Sequence, residues 1–132
     1  PDRLISLRLS HEGLIFGDVI ELHSAVSNLI VNALKYSDSE SEVTVEWFER
    51  NDRPVLRVID GGEGIEEHHI PRLTERFYRI DKSRSQSTGG TGLGLAIVKH
   101  VALSHNAELT IESVPGEGSV FSILFSANEA TL

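Results

Sequence analysis

A chain of 132 residues without cysteine has the length of a single domain and must hold its core without disulfides or thiolate metal sites. Twenty acidic against twelve basic residues leave a net charge of −8, which argues against a broad phosphate-gripping face and so against nucleic acid as a partner. No apolar run approaches the roughly 20 residues that span a bilayer, the amino terminus lacks a signal-peptide pattern, and Pro1 follows no initiator methionine. These features predict one soluble domain over 1–132, excised from a longer parent and without direct membrane contact.

"RLISLRLSHEGLIFGD" predicts two short strands around a turn at Ser10 to Gly13, a hairpin. From Asp18 the period changes. Leu22, Ala25, Val26, Leu29, Ile30, Ala33 and Leu34 recur at helical spacing, Asp18 with Glu21 suggests a capping box, and "SDSES" ends the helix near Ser37. "EVTVEWFER" and "PVLRVID" then read as strands joined at "NDR", where alternation accounts for Trp47 and Phe48 as sheet packing.

After Asp60 comes a glycine-rich loop, then a short helical piece over Ile70 to Phe77. "YRIDKSRSQSTGG" reads as a mobile surface loop. Gly92 to Ser104 reads as a helix with one apolar face of Leu93, Ile97 and Val101 and another of Leu95, Val98 and Ala102. "AELTIESV" and "SVFSILFS" form a hairpin across Pro115 to Gly118, and the tail after Ser126 is expected to fray. The pattern implies an α+β layer structure, one sheet with its helices on one face.

Three clusters carry chemistry. On the long helix, Asn28, Asn32 and Lys35 follow at spacings of four and three and share a face. Asparagine is a poor mid-helix residue, so two of them a turn apart call for a compensating interaction. Amide oxygens suit Mg²⁺ and the lysine suits phosphate, although a solvated helix face remains the alternative. Asp60 ends an apolar strand and is followed by Gly61, Gly62 and Gly64. A carboxylate there accepts the amine of adenine and rejects guanine, whose carbonyl oxygen would face it; a strand-ending Asx turn is the plainer reading.

The third cluster is "TGGTGLGLAIVKH". It fails the Walker pattern, since no glycine precedes a lysine, and it fails the dinucleotide fingerprint. What remains is a glycine-rich run opening a helix, where free amides favour phosphate. It is preceded by Arg72, Arg76, Arg79, Lys82 and Arg84, which concentrate positive charge.

"HSAVSNLIVNALKYS", "DGGEGI", "ERFYRID" and "GGTGLGLAIVK" stand in the order of the asparagine, first glycine, phenylalanine and second glycine boxes. Over about Gly17 to Phe125 the chain resembles the catalytic and ATP-binding domain of sensor histidine kinases. The resemblance implies a two-layer α/β sandwich of the Bergerat type, a mixed sheet with helices on one face and a flexible ATP lid. It implies ATP and Mg²⁺ as ligands, with Asn32 matching the magnesium ligand and Asn28 and Lys35 the phosphate contacts. Tyr36 matches a residue beside the nucleotide and Asp60 the adenine-reading aspartate, with Gly62 and Gly64 shaping the base pocket. Arg79 matches the arginine that reaches the terminal phosphate. Gly90, Gly92 and Gly94, with Thr91 and Leu93 between them, match the lid backbone that follows the phosphates into a helix start. Gly61 departs from the pattern, since many relatives carry a side chain there.

The resemblance further implies phosphoryl transfer to a histidine on a separate dimerisation domain, a response regulator downstream, and a cytoplasmic position in a parent anchored in the bacterial inner membrane. Hydrolytic relatives use a glutamate one turn before the metal-binding asparagine, and here that position is Asn28, which takes no proton. A nucleotide-binding module without transfer is the competing class. His11 in "LSHEGL" lacks the residues of a phosphoacceptor box, and His68, His69, His100 and His105 read as exposed, solvated histidines rather than metal ligands.

Overall fold

The computed structural model describes residues 5–9, 14–15, 18–37, 42–78, 94–126 and 130–131, with the side chains of 5–9, 14–15, 36 and 130–131 outside the description. The helical period becomes α1, Val19–Tyr36, whose Ala25, Leu29 and Ala33 form a fully buried stripe. Asp18 caps it by accepting from the Glu21 amide at 3.0 Å, and at the far end Ser37 Oγ donates to the Ala33 carbonyl. Only half of the expected capping box forms: the Asp18 amide donates to His105, and the Glu21 carboxylate accepts from Ser104 instead.

Strands β3 (Val43–Arg50) and β4 (Arg53–Asp60) pair antiparallel across Asn51 and Asp52, both at positive φ, the backbone a two-residue hairpin turn needs and these residue types tolerate. β5 (Glu108–Val114) and β6 (Gly118–Leu124) pair likewise. The five-stranded sheet runs β1-β3-β4-β6-β5, with β1 at Ile5–Leu9.

The hairpin expected at the amino terminus does not exist. β1 pairs parallel with β3, Ile5 opposite Val43, so the chain crosses over through α1, as a parallel neighbour requires. β2 (Leu14–Ile15) pairs with β7 (Ala130–Thr131), so the tail expected to fray contributes a strand. Strand periodicity reports an alternating face but not the partner, and both errors have that origin.

Helix α2, Gly94–Ser104, lies with α1 against one face of the sheet. Leu95, Val98, Val101 and Ala102 are buried with Val43, Val45, Leu56, Val58, Phe121 and Ile123, and Trp47 meets Phe125 edge to face at the rim of this core. Ile97, expected on an apolar face, is 40% exposed. α2 ends where Asn106 takes a left-handed backbone and the Ala107 amide returns to the Ala102 carbonyl at 2.8 Å. On the opposite face of the sheet Arg57 and Arg50 lie over the Phe48 ring, and Glu46 pairs with Arg57. The short helical piece forms earlier than expected: a 3₁₀ helix covers Glu67–Arg72, with turns after it. Pro71, which lacks an amide, sits inside it and suits a short helix better than a continuing one.

Candidate nucleotide site

Asp60 ends β4 on the same side as Leu56 and Val58, so its carboxylate faces the helical layer and is only 5% exposed. Burial raises its pKa above the ordinary carboxylate value, opposed by hydrogen bonds from the Gly62 and Ser119 amides. The Gly62 amide donates to Oδ1 at 3.0 Å, the geometry of an Asx turn. The carboxylate thus shapes its own loop while standing buried, with no cation beside it among the described residues.

The loop after Asp60 is fastened to the β5–β6 turn. Gly64 has φ +78 and passes so close to that turn that a Cβ would lie 2.3 Å from the Val114 carbonyl oxygen. The Ile65 amide donates to Ser113 Oγ at 2.7 Å, Ser113 Oγ donates to the Gly118 carbonyl, and the Gly116 amide donates to the Glu63 carbonyl. Ser119 Oγ lies 2.8 Å from Ser113 Oγ. Ser113 and Ser119 escaped sequence reasoning; the available signal was a polar residue in each of two apolar strands at positions that pair across a hairpin. A Cβ at Gly61 would meet nothing within 4 Å, so a side chain there is admitted and glycine is not required.

On α1, Asn28 Nδ2 donates to the Ser24 carbonyl at 2.8 Å, and its Oδ1 turns toward the start of α2. A Cβ on Gly94 would lie 2.9 Å from that oxygen, so the last glycine of the run is seated directly on the first asparagine. The side chains of Asn32 and Lys35, both half-buried, have no hydrogen-bond or ion-pair partner among the described residues. Among those residues no three His, Asp or Glu side chains converge on a metal position, so a divalent ion bound at this face would rely on amide and phosphate oxygens.

Tyr78 is held by His69 Nδ1 at its hydroxyl and by Arg72 over its ring at 4.5 Å, immediately before Arg79. Arg79, Gly90, Thr91, Gly92 and Leu93, with the loop expected to be mobile and His11, lie outside the described residues, and so does the side chain of Tyr36. Of the other histidines expected to be solvated, His68 and His100 are exposed and His69 is half-buried, but His105 is 7% exposed, contrary to that expectation.

A carboxylate buried at the end of a sheet strand, beside a glycine-rich loop, faces a layer of two helices, one bearing amides and the other opened by a glycine. The sequence matches the model of the histidine kinase-, DNA gyrase B-, and HSP90-like ATPases over residues 17–129, and the chain belongs to that family. It is 51% identical to the phosphate regulon sensor protein PhoR of Pseudomonas aeruginosa over 122 residues, covering 92% of this chain and 28% of that protein. Against the sensor-like histidine kinase SenX3 of Mycolicibacterium smegmatis the identity is 45% over 109 residues, 83% of this chain and 28% of that protein. The chain therefore spans little more than a quarter of these relatives. Among solved structures, the mycobacterial sensor histidine kinase MprB superposes with a TM-score of 0.80 at 28% identity, covering 92% of this chain and 80% of that one.

Proposed function

We propose that this domain binds Mg-ATP and presents the terminal phosphoryl group to a histidine on a separate dimerisation domain of its parent, a sensor kinase that serves a response regulator in two-component signalling. The observation that carries the reading is Asp60: a buried carboxylate with no cation beside it among the described residues, held at the edge of a loop whose Gly64 passes too close to the β5–β6 turn for a side chain. Such a group is costly to the fold and is offset when a ligand donates to it. Adenine offers an amine there and guanine an oxygen, which makes Asp60 the specificity element.

Asn32, without a partner among the described residues, suits a magnesium ligand, and Asn28 offers its oxygen while its amide stays with Ser24. Bound magnesium would neutralise charge on the phosphates. Lys35 and Arg79 would hold the terminal phosphate in line, while Gly62 and Gly64 shape the base pocket. The run from Gly90 through Thr91, Gly92 and Leu93 to Gly94 would follow the phosphates, and Tyr36 would flank the nucleotide. The accepting imidazole nitrogen forms the new bond to phosphorus as the bond to the ADP oxygen breaks, so ADP leaves with that electron pair. Asn28 holds the place where hydrolytic members of the family carry a glutamate and removes no proton from water, which favours transfer over hydrolysis.

Among the described residues no helix is long and apolar enough to cross a membrane; the proposed position is cytoplasmic, with anchoring left to the parent. Mixing the domain with a purified dimerisation domain and γ-labelled ATP tests the reading. Label on histidine supports transfer, whereas tight ATP binding without label reduces the domain to a nucleotide-binding module.

A further inference from the structure

The two helices of the site are joined at the end remote from it by a buried imidazole. The backbone amide of Asp18 donates to His105 Nε2 at 3.0 Å across 87 residues of chain. A backbone amide can only donate, so Nε2 is the unprotonated nitrogen, and Nδ1 carries the hydrogen that it donates to the Val101 carbonyl at 2.8 Å. Beside this pair Ser104 Oγ donates to Glu21 Oε1 at 3.0 Å. The start of α1 is thus pinned to the end of α2.

The opposite ends of the same segments meet at Asn28 and Gly94. Ten residues separate Asp18 from Asn28 and ten separate Gly94 from Ser104, a distance of about 15 Å along each axis at the α-helical rise. The helices are antiparallel neighbours in matched register, with the His105 clamp at one end and the Asn28–Gly94 seat at the other. Packed helices slide as rigid bodies, so a slip at the clamp is delivered undiminished to the seat.

We infer that His105 is a positioning residue for the phosphate end of the site: its neutral imidazole sets the register of α2 against α1, and protonation releases that register and weakens nucleotide binding. A proton added at Nε2 would set a second donor against the Asp18 amide and break the bond that joins the helices. Among the described residues the charged groups facing the clamp are Glu21, whose carboxylate oxygen lies 3.9 Å from Nδ1, and Asp18, whose carboxylate caps the Glu21 amide. Asp18 caps α1 and Glu21 lies in its first turn, on the Nδ1 side. It eases the positive charge but cannot accept the new Nε2 hydrogen. The inference extends the Mg-ATP reading, because the register matters to function only if phosphates sit at the seat.

Two substitutions separate the ring nitrogens. In His105→Gln the side-chain oxygen reaches the Nε2 position and accepts from Asp18 without titrating, while in His105→Asn only the Nδ1-like donor to Val101 remains. In ¹⁵N-labelled wild type, the Gly94 amide and the Asn28 side-chain amide are expected to shift in step with the His105 ring as the solution is acidified. In His105→Gln they are expected to stay still. Mg-ATP affinity, measured by calorimetry against His105→Gln at each pH because ATP itself titrates, is expected to fall about three- to tenfold more in the wild type, the equivalent of one hydrogen bond. His105→Asn is expected to bind weakly at every pH. A Gly94 signal that stays flat while His105 titrates, or that moves equally in His105→Gln, overturns the inference, and so does unchanged relative affinity. A domain that binds no Mg-ATP but keeps the Gly94 response removes the proposed function and leaves the clamp standing.

Discussion

Replacing Asp60 with asparagine is expected to move stability and affinity in opposite directions. The residue is 5% exposed, and burial raises its pKa, so the folded state holds the proton more tightly than the unfolded chain does. The contribution of this group to stability is therefore present in acid and is lost as pH rises through the folded pKa. Asparagine keeps an oxygen to accept from Gly62 and removes the charge, so Asp60→Asn should melt higher at neutral pH, and the difference should vanish as pH falls below the carboxylate range. Each kcal/mol recovered raises the midpoint by about 4 °C in a domain of this length.

Binding should suffer, because the adenine amine loses a charged acceptor worth about 1.5–3 kcal/mol, roughly 10- to 150-fold in affinity. The new side-chain amide can donate to the guanine oxygen, so the preference for ATP over GTP should shrink. Differential scanning calorimetry across pH and isothermal titration with both nucleotides read the two effects on the same protein. A lower melting point at neutral pH would mean that the Gly62 and Ser119 amides outweigh burial, and unchanged ATP-to-GTP selectivity would remove Asp60 from base recognition.

Asn32→Ala should abolish the magnesium dependence of nucleotide binding while the fold is kept; binding that still rises with magnesium would show the ion is held elsewhere. Gly118 has φ +128, and a Cβ there would lie 2.2 Å from the Asp60 carbonyl oxygen. Gly118→Ala should therefore cost roughly 2–5 kcal/mol in urea unfolding. Gly61→Ala, with open space around it, should stay within about 0.5 kcal/mol of wild type, and equal effects would refute the steric account. Gly94→Ala meets only the tip of the Asn28 side chain, so stability should change by less than about 1 kcal/mol while Asn28 swings off Ser24 and nucleotide affinity falls; full affinity would detach that seat from the site.

Elements whose partners are close in sequence were readable. α1 declared itself through period and cap, and β3–β4 and β5–β6 through turn residues whose backbone demands are local. Long-range pairings were not: β1 beside β3 and β7 beside β2 depend on which unpaired edge is free after the rest has folded, and no local pattern encodes that. The site divides in the same way. Asp60, Asn28 and Gly94 stand out in the sequence because residue type and motif order point toward phosphate and purine chemistry. Ser113, Ser119 and His105 were missed, since a serine on a strand and a histidine at a helix end look ordinary until their partners arrive from 48 and 87 residues away. His105 in particular reads as solvated because no second histidine stands at metal-ligand helical spacing, whereas its burial is accounted for by the Asp18 amide at Nε2 and the Val101 carbonyl at Nδ1.

The central claim is that amides, carboxylate and glycine backbone serve one purine triphosphate. Titrating the ¹⁵N-labelled domain with Mg-ATP tests it most directly. The account predicts saturable shifts that include the amides of Gly62, Gly64 and Gly94 and the side chains of Asn28 and Asn32, with GTP producing far weaker ones. A spectrum that stays unmoved at millimolar Mg-ATP, or that moves identically with GTP, would contradict it.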